Sequence, residues 1–294
     1  MANVADIASS GGAFFAQADC SHVGSFDGGI GVTPPTYIIS LASATHRRAF
    51  QVAQAERLGF NVIWSPAVGI NDFSDTFFYQ NAFKWQRALK KTEVACFMSH
   101  LRLWQTIAES QSPAVILEDD VILGVNWLAD IQTLAEHAKS DYICLEAWKK
   151  KTLGSAQQVR HLTIKKLWLN SAGAAGYMLW PSGAKCLLSR YESHGVALAD
   201  AFINQTKGWS AWQLVPANVV QMSVATDYGF KALPHSESLI AREIHASAIA
   251  PNIWVMLQMK WRRLKGELGK TWMHMSKLLI ATRDYVPFMN QRHL

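Results

Sequence analysis

The stretch Pro113-Ala-Val-Ile-Leu-Glu-Asp-Asp-Val-Ile122 decides how the chain folds. Val115, Ile116 and Leu117 run without alternation into three consecutive carboxylates, Glu118, Asp119 and Asp120, after which Val121 and Ile122 resume the apolar pattern. A short β-branched run of this kind reads as a strand covered on both faces, as in a parallel α/β sheet. The acidic triplet then marks its carboxyl end, and open α/β sheets bind ligands in the crevice outside the carboxyl ends of their strands. Three adjacent anions repel one another and resist burial, and a hard divalent cation with oxygen ligands relieves both costs. Glu118, Asp119 and Asp120 are therefore candidate metal ligands, with a solvated acidic turn as the alternative.

Upstream, Tyr37 to Leu41 reads as a first strand, Thr45 to Leu58 as a helix and Asn61 to Trp64 as a second strand, which makes a βαβ opening. The first strand-to-helix turn holds Ser43, Arg47 and Arg48; an arginine pair there can grip phosphate bidentately, or can be a solvated helix start. Phe73 to Leu89 is aromatic-rich and irregular. Thr92 can cap a helix to about Glu109, whose Val94, Phe97, Leu101, Trp104 and Ile107 form a core stripe. Ser99 and His100 lie on that helix, where a lone histidine is ordinarily a packed, hydrogen-bonded residue.

Downstream, a helix from about Asn126 to Lys139 precedes a strand, Tyr142 to Leu145, that ends in Glu146. A second carboxylate at a strand end belongs on the same rim as the first. Lys149-Lys150-Lys151 opens a polar loop reaching Gln158, and Arg160 to Leu169 reads as strand. Gly173-Ala-Ala-Gly176 leads into an apolar strand from Tyr177 to Trp180; small residues there permit close approach of a ligand or of another strand. Pro181 starts a helix to about Ser193, Asp200 sits in a short helix from Leu198 to Lys207, and Trp212 to Gln221 supplies the last strands. The expectation is an α/β fold with a mainly parallel sheet flanked by helices and some antiparallel additions.

With 294 residues, half of them hydrophobic, the chain can bury a full core. A net charge of +6 and a pI near 9.1 point to an anionic partner. Cys20, Cys96, Cys144 and Cys186 lie far apart without a Cys-x-x-Cys pair, which argues against a zinc site or a disulfide framework and fits a reducing compartment. No apolar run reaches the roughly 18 residues of a spanning helix. Residues 1 to 36 are glycine-rich and lack Lys and Arg, so they read as a flexible extension with no secretory signal, and a cytoplasmic protein is expected. From Ile253 to Ile280, Trp254, Leu257, Trp261, Leu264, Leu268, Trp272, Met275 and Leu279 recur at helical spacing, with Lys260, Arg262, Arg263, Lys265, Lys270 and Lys277 set against Glu267 alone. A basic amphipathic helix with several tryptophans suits an anionic membrane surface; a helix docked on the protein's own core is the alternative.

Tyr37-Ile-Ile-Ser-Leu with Arg47-Arg48, Glu93-Val-Ala-Cys-Phe-Met-Ser-His100 with Trp104, Ile116-Leu-Glu-Asp-Asp-Val121, and Gly173-Ala-Ala-Gly-Tyr177 with Gly183-Ala184 together resemble the family 25 glycosyltransferases of bacterial lipooligosaccharide biosynthesis. The collagen galactosyltransferases belong to the same wider group. The resemblance covers roughly Tyr37 to Gln221 and implies a GT-A type nucleotide-sugar fold, UDP-galactose as donor with inversion at the sugar, and a divalent metal, manganese, near the acidic motif. Glu118-Asp119-Asp120 falls on the family's Glu-Asp-Asp and Ser99-His100 on its Ser-His; within the acidic triplet Asp120 is favoured as the main metal ligand, with Glu118 beside it and Asp119 near ribose or metal, and the donor site is expected to draw on Arg47, Arg48, Ser99, His100, Gly173, Gly176 and Tyr177. Asp200 is favoured over Glu146 as catalytic base, although Ala197-Leu198-Ala199 departs from the family's pattern before that aspartate.

The expected organisation is a flexible extension over residues 1–36, a catalytic domain over 37–235 and a membrane-associating tail over 236–294. The expected partners are a UDP-sugar, a lipid-linked oligosaccharide acceptor and, through the tail, an anionic surface on the inner face of the cytoplasmic membrane; no nucleic acid is expected. Two rivals are a metal-dependent nucleotidyltransferase, which ordinarily brings a glycine-rich phosphate loop absent here, and a non-catalytic glycan-binding module on a transferase fold.

Overall fold

The computed structural model describes residues 33–148, 151–169, 173–231, 252–277 and 280–289. Lys149, Lys150, residues 1–32 and the start of the tail as far as residue 251 lie outside them. The opening unit follows the sequence: β1 (Thr36–Ser40), α1 (Thr45–Leu58) and β2 (Val62–Pro66), with β1 and β2 pairing in parallel. Gly59, at φ 75°, takes the left-handed turn that ends α1. Ser74 caps α2 (Asp75–Ala82) by accepting the Phe77 N–H, so the aromatic segment expected to be irregular contains a helix. In α3 (Lys91–Ala108) the first turn is closed by Glu93, which accepts the Lys90 N–H at 2.9 Å.

The acidic segment forms β3 (Ala114–Glu118), a turn at Asp119 and Asp120, and β4 (Val121–Leu123). Strand alternation divides β3 between two cores. Ala114 and Ile116 join the cluster built by α3, α5 (Pro181–His194) and α6 (Ala199–Asn204), whereas Val115 and Leu117 join the cluster built by α1 and α4 (Trp127–His137). All four side chains are at most 2% exposed, so the strand is covered on both faces by helices.

The nine-stranded sheet is mixed, where a mainly parallel one is expected. It adds β5 (Tyr142–Cys144), β7 (Thr152–Val159), β8 (Leu162–Leu169), β9 (Gly176–Leu179), β10 (Ala211–Val215) and β12 (Thr282–Asp284), in the order β12-β7-β8-β10-β5-β9-β3-β1-β2. β1, β2 and β3 pair in parallel, as do β5 and β10, but β9 lies antiparallel between β3 and β5. A short apolar run such as Gly176-Tyr-Met-Leu179 is buried alike in either direction, so its pattern carries no sign of its orientation. β7 and β8 form an antiparallel hairpin turning at Arg160, φ 55°, in place of the expected loop from Lys151 to Gln158. A small second sheet sets β11 (Val219–Gln221) between β4 and β6 (Glu146–Ala147).

The segment read as one tail divides into two parts. α7 (Ile253–Lys277) lies on the body, while residues 280–289 rejoin it: β12 pairs with β7, and Val286 and Phe288 are buried beside Ala217 and Val220. No helix among the described residues is long and apolar enough to cross a membrane. Cys96 and Cys144 are reduced thiols, whereas Cys186 is disulfide-bonded, against the expectation of isolated cysteines.

Close packing makes one glycine decisive. A Cβ on Gly183, in the first turn of α5, would lie 2.1 Å from the Asp141 carbonyl oxygen. Gly183→Ala is expected to destabilise the protein by about 1–3 kcal/mol through overpacking against backbone. Gly269→Ala, in α7 where a Cβ meets nothing within 4 Å, serves as the control and is expected to be neutral or stabilising. Thermal unfolding of the two variants beside the parent reads the difference directly.

Candidate active site

The carboxyl ends of β1 and β3 and the end of β5 converge, placing Ser40, Glu118 and Glu146 on one rim. The turn after β3 is braced from α1. Gln51, fully buried, donates its side-chain N–H groups to the Asp119 carbonyl (3.0 Å) and the Val121 carbonyl (2.8 Å), and Gln54 accepts the Leu123 N–H at 2.8 Å. Buried backbone groups that β4 cannot pair are thereby satisfied, which fixes the direction of the three carboxylates.

The three then differ sharply. Both carboxylate oxygens of Asp119 are engaged: Oδ2 accepts from the Ser40 hydroxyl at 2.7 Å and Oδ1 from Arg47 Nη1 at 3.0 Å. Asp120 is buried, and its Oδ1 has no hydrogen-bond partner among the described residues. Burial, reinforced by the Glu118 charge and only partly offset by Arg47, pushes the Asp120 carboxyl up to about 7. Glu118, half-exposed, accepts from Gln221 Nε2 at 3.3 Å and lies 3.4 Å from His100 Nε2.

His100 is fully buried, and its proton can be placed by following the donors. Trp104 Nε1, which can only donate, gives its hydrogen bond to the Tyr177 hydroxyl at 2.9 Å. The hydroxyl hydrogen is thereby left for His100 Nδ1, also at 2.9 Å, so that Nε2 carries the proton facing Glu118. Tyr177, itself fully buried and stacked on the imidazole at 5.8 Å, thus acts through His100. Cys96, one turn before His100 on α3, brings its sulfur, the imidazole and the Glu118 carboxylate within 4.8 Å of one another, a softer donor set that shares Glu118 with the acidic turn.

Glu146 is fully buried; Oε2 accepts the Ala175 N–H at 3.1 Å, and Oε1 has no partner among the described residues. Burial, then the charges of Glu118, Asp120 and Asp200, raise its carboxyl well above the usual range. Gly173 packs so closely that a Cβ there would stand 2.8 Å from Glu146 Oε1, and a Cβ on Gly176 would stand 2.5 Å from Val219. The close approach permitted by these glycines is thus made in part by other protein groups.

Other expected site residues stand apart. Ser99 accepts the Val68 N–H and donates to the Ala95 carbonyl. Arg48 lies over the Trp64 ring at 4.3 Å, away from its neighbour Arg47, because successive residues on a helix point in different directions. Asp200 is exposed in the first turn of α6 and accepts the Ala201 N–H, and its charge acts on Glu146. Ser40, Gln51 and Gln221 escaped the sequence reading; the signal available for Ser40 was its place at the end of a strand parallel to β3.

Residues 33–203 match the profile of glycosyltransferase family 25 (LPS biosynthesis protein), more than half of the chain. The chain belongs to this family. Within it, the lipooligosaccharide biosynthesis protein lic2B of Haemophilus influenzae is 31% identical over 146 residues, 45% of this chain and 55% of the relative. The lacto-N-neotetraose biosynthesis glycosyltransferase LgtE of Neisseria meningitidis is 28% identical over 167 residues, 53% of this chain and 60% of the relative. A rat protein named as a probable inactive glycosyltransferase 25 family member 3 is 25% identical over 185 residues, 57% of this chain and 32% of the relative. The chain thus spans less than two thirds of the length of each of these family 25 relatives, and the names of the relatives include both biosynthetic and inactive proteins.

Proposed function

We propose that the chain is a GT-A type, metal-dependent glycosyltransferase that moves galactose from UDP-galactose, with inversion, onto a lipid-linked oligosaccharide of the lipopolysaccharide or lipooligosaccharide kind. The observation that carries this reading is the acidic turn of a family 25 chain in which Asp120 is buried, raised to about 7 and unpartnered at Oδ1 among the described residues. Such an atom is costly to keep without a partner, and a divalent cation supplies one.

The donor set fits a hard ion such as manganese: Asp120 and Glu118 would hold it, while Asp119 is committed to Ser40 and Arg47. When bound, the ion supplies Lewis-acid stabilisation of the departing diphosphate. Arg47, held at 3.0 Å from Asp119, carries its positive charge beside the acidic turn, where the phosphates of a nucleotide-sugar would lie. His100 keeps its Nε2 proton on Glu118, fixing that carboxylate's direction from behind.

An acceptor hydroxyl needs a base that is charged at neutral pH. Glu146, whose carboxyl burial raises well above the usual range, is the poorer candidate, whereas Asp200 is exposed at the start of a helix, where a negative charge is favoured. Asp200→Asn is therefore expected to lower kcat by about 10²–10⁴-fold while donor affinity changes by less than about twofold. Separate measurement of turnover and of UDP-galactose binding decides it, and full turnover would remove Asp200 from the reaction.

The tail supports a peripheral attachment to the inner face of the cytoplasmic membrane. α7 docks through Met259, Gly266 and Arg262, the last donating to the Phe83 carbonyl at 2.8 Å. Its apolar stripe faces outward, with Trp254 72% and Trp272 73% exposed and Leu257, Trp261, Leu264, Leu268 and Met275 along the same face. Docking and an apolar outer face thus coexist, and an anionic bilayer is the partner suited to an apolar stripe flanked by lysine and arginine. Release of UDP from UDP-galactose, UDP-glucose and UDP-N-acetylglucosamine, with manganese or with chelator, tests the transferase reading; no release from any donor would favour the non-catalytic one.

A further inference from the structure

Between α7 and the body runs a groove of about 1240 Å³, lined from α5, the end of β8, the loop after α6 and the segment following α2. It exceeds the roughly 300–1,000 Å³ usual for a pocket holding one small ligand. Its lining carries seven lysines and arginines, among them Lys84, Lys166, Arg190, Arg262 and Lys270, against one carboxylate, Glu192. Arg190 is half-buried over the Phe202 ring, and its Nε has no hydrogen-bond partner among the described residues. Trp168 Nε1 is likewise buried without one, while Lys166 and Lys277 flank its ring at 5.2 and 4.4 Å. Trp85, Trp209 and Tyr191 complete an aromatic lining.

Cations beside broad aromatic faces, with buried N–H donors left over, suit a ligand that is both phosphorylated and flat-faced, as sugar rings are. The groove holds none of the residues of the acidic turn, yet α6 links the two: Asp200 is in its first turn and Asn204, at its end, lines the groove, about 6 Å further along the axis. Its other wall is the helix whose outer face carries the exposed tryptophans. We propose that this groove binds the phosphorylated saccharide of the acceptor, with phosphates on Lys166, Arg190 and Lys270 and sugar faces on Trp85, Trp168 and Trp209. This rests on the reading of the protein as a transferase acting on a lipid-linked glycan, and it adds an anionic saccharide site behind the membrane-facing helix.

The test uses the full chain and two probes, glucose 1,6-bisphosphate with glucose as uncharged control, and phosphatidylglycerol vesicles. Calorimetry is expected to show binding of the bisphosphate but not of glucose, undisplaced by UDP with manganese. Lys166→Gln/Lys270→Gln, changes of solvent-accessible side chains that leave the core intact, should weaken that binding about tenfold or more and leave vesicle co-sedimentation nearly unchanged. Displacement by UDP, or bisphosphate binding equal in parent and variant, overturns the proposal. A variant that loses vesicles but keeps the bisphosphate assigns the groove to lipid headgroups and also overturns it. Parent protein that releases UDP from a sugar donor but binds no bisphosphate sinks the groove alone. Groove-dependent binding without UDP release from any donor sinks the transferase reading and leaves the saccharide site standing.

Discussion

Replacing Asp120 by asparagine is expected to abolish sugar transfer and, in the same molecule without metal, to raise the melting temperature at pH 8. The two effects share one cause. A carboxylate buried beside Glu118, with an Oδ1 unpartnered among the described residues, destabilises the metal-free fold, and the same unmet need makes it a ligand. The sign follows from the direction of the shift. The folded carboxyl titrates near 7, above its ordinary value of 3.8, so the folded state holds the proton more tightly than the unfolded state does. The penalty is absent below the unfolded value, grows as pH rises through the window between the two, and is complete above about 7. Asparagine removes it, with a gain on the order of 1–3 kcal/mol at pH 8 and little at pH 4. Thermal melts at the two pH values in chelator, paired with transfer assays in manganese, measure both halves. A variant that transfers at the parental rate, or that melts lower at pH 8 than the parent, contradicts the reading.

The second large effect is expected on the tail. Trp254→Ser/Trp261→Ser/Trp272→Ser should reduce binding to phosphatidylglycerol vesicles by about 10²-fold or more while the protein folds as before. These side chains are mostly in solvent, so the body loses almost no packing; a bilayer loses three large apolar anchors. Transfer to vesicle-borne acceptor should fall in step, and transfer to a short soluble acceptor should not. Of the six lysines and arginines of α7, Arg262, Lys265 and Lys270 line the groove, whereas Lys260 and Arg263 are exposed outside it and contribute about 1 kcal/mol each near an anionic surface, so added salt should weaken the parent's binding too. Substitution is a cleaner test than deletion of the whole tail, because Val286 and Phe288 beyond α7 are buried in the body. Equal sedimentation of parent and triple variant would mean that the stripe covers something other than lipid.

Much of the fold was legible because burial writes itself into residue type. Val115 to Leu117, apolar without alternation, lie in β3 between two helical layers, and α1 spans the expected Thr45 to Leu58. Strand direction was not legible, since β9 is equally apolar whichever way it runs. β7 escaped because Gly154-Ser-Ala-Gln-Gln158 is polar, and a half-exposed hairpin strand needs no apolar run. At the site, the sequence marked the carboxylates but not what holds them. Gln51 and Gln54 sit three residues apart on a helix that would ordinarily turn glutamines to water, and only the turn after β3 gives them a reason to be buried. The pairing of Arg47 with Asp119, and of Tyr177 with His100, joins residues more than 70 positions apart. No local pattern announces such partners.

The central claim is that the turn at Glu118 to Asp120 is a metal-dependent nucleotide-sugar site, and manganese binding measured by electron paramagnetic resonance in the presence of UDP tests it most directly. The parent chain is expected to take up a single manganese ion in a UDP-strengthened manner, Asp120→Asn to lose that binding, and Asp200→Asn to retain it. Manganese binding undiminished in Asp120→Asn, or no UDP-strengthened binding by the parent protein, would contradict the claim.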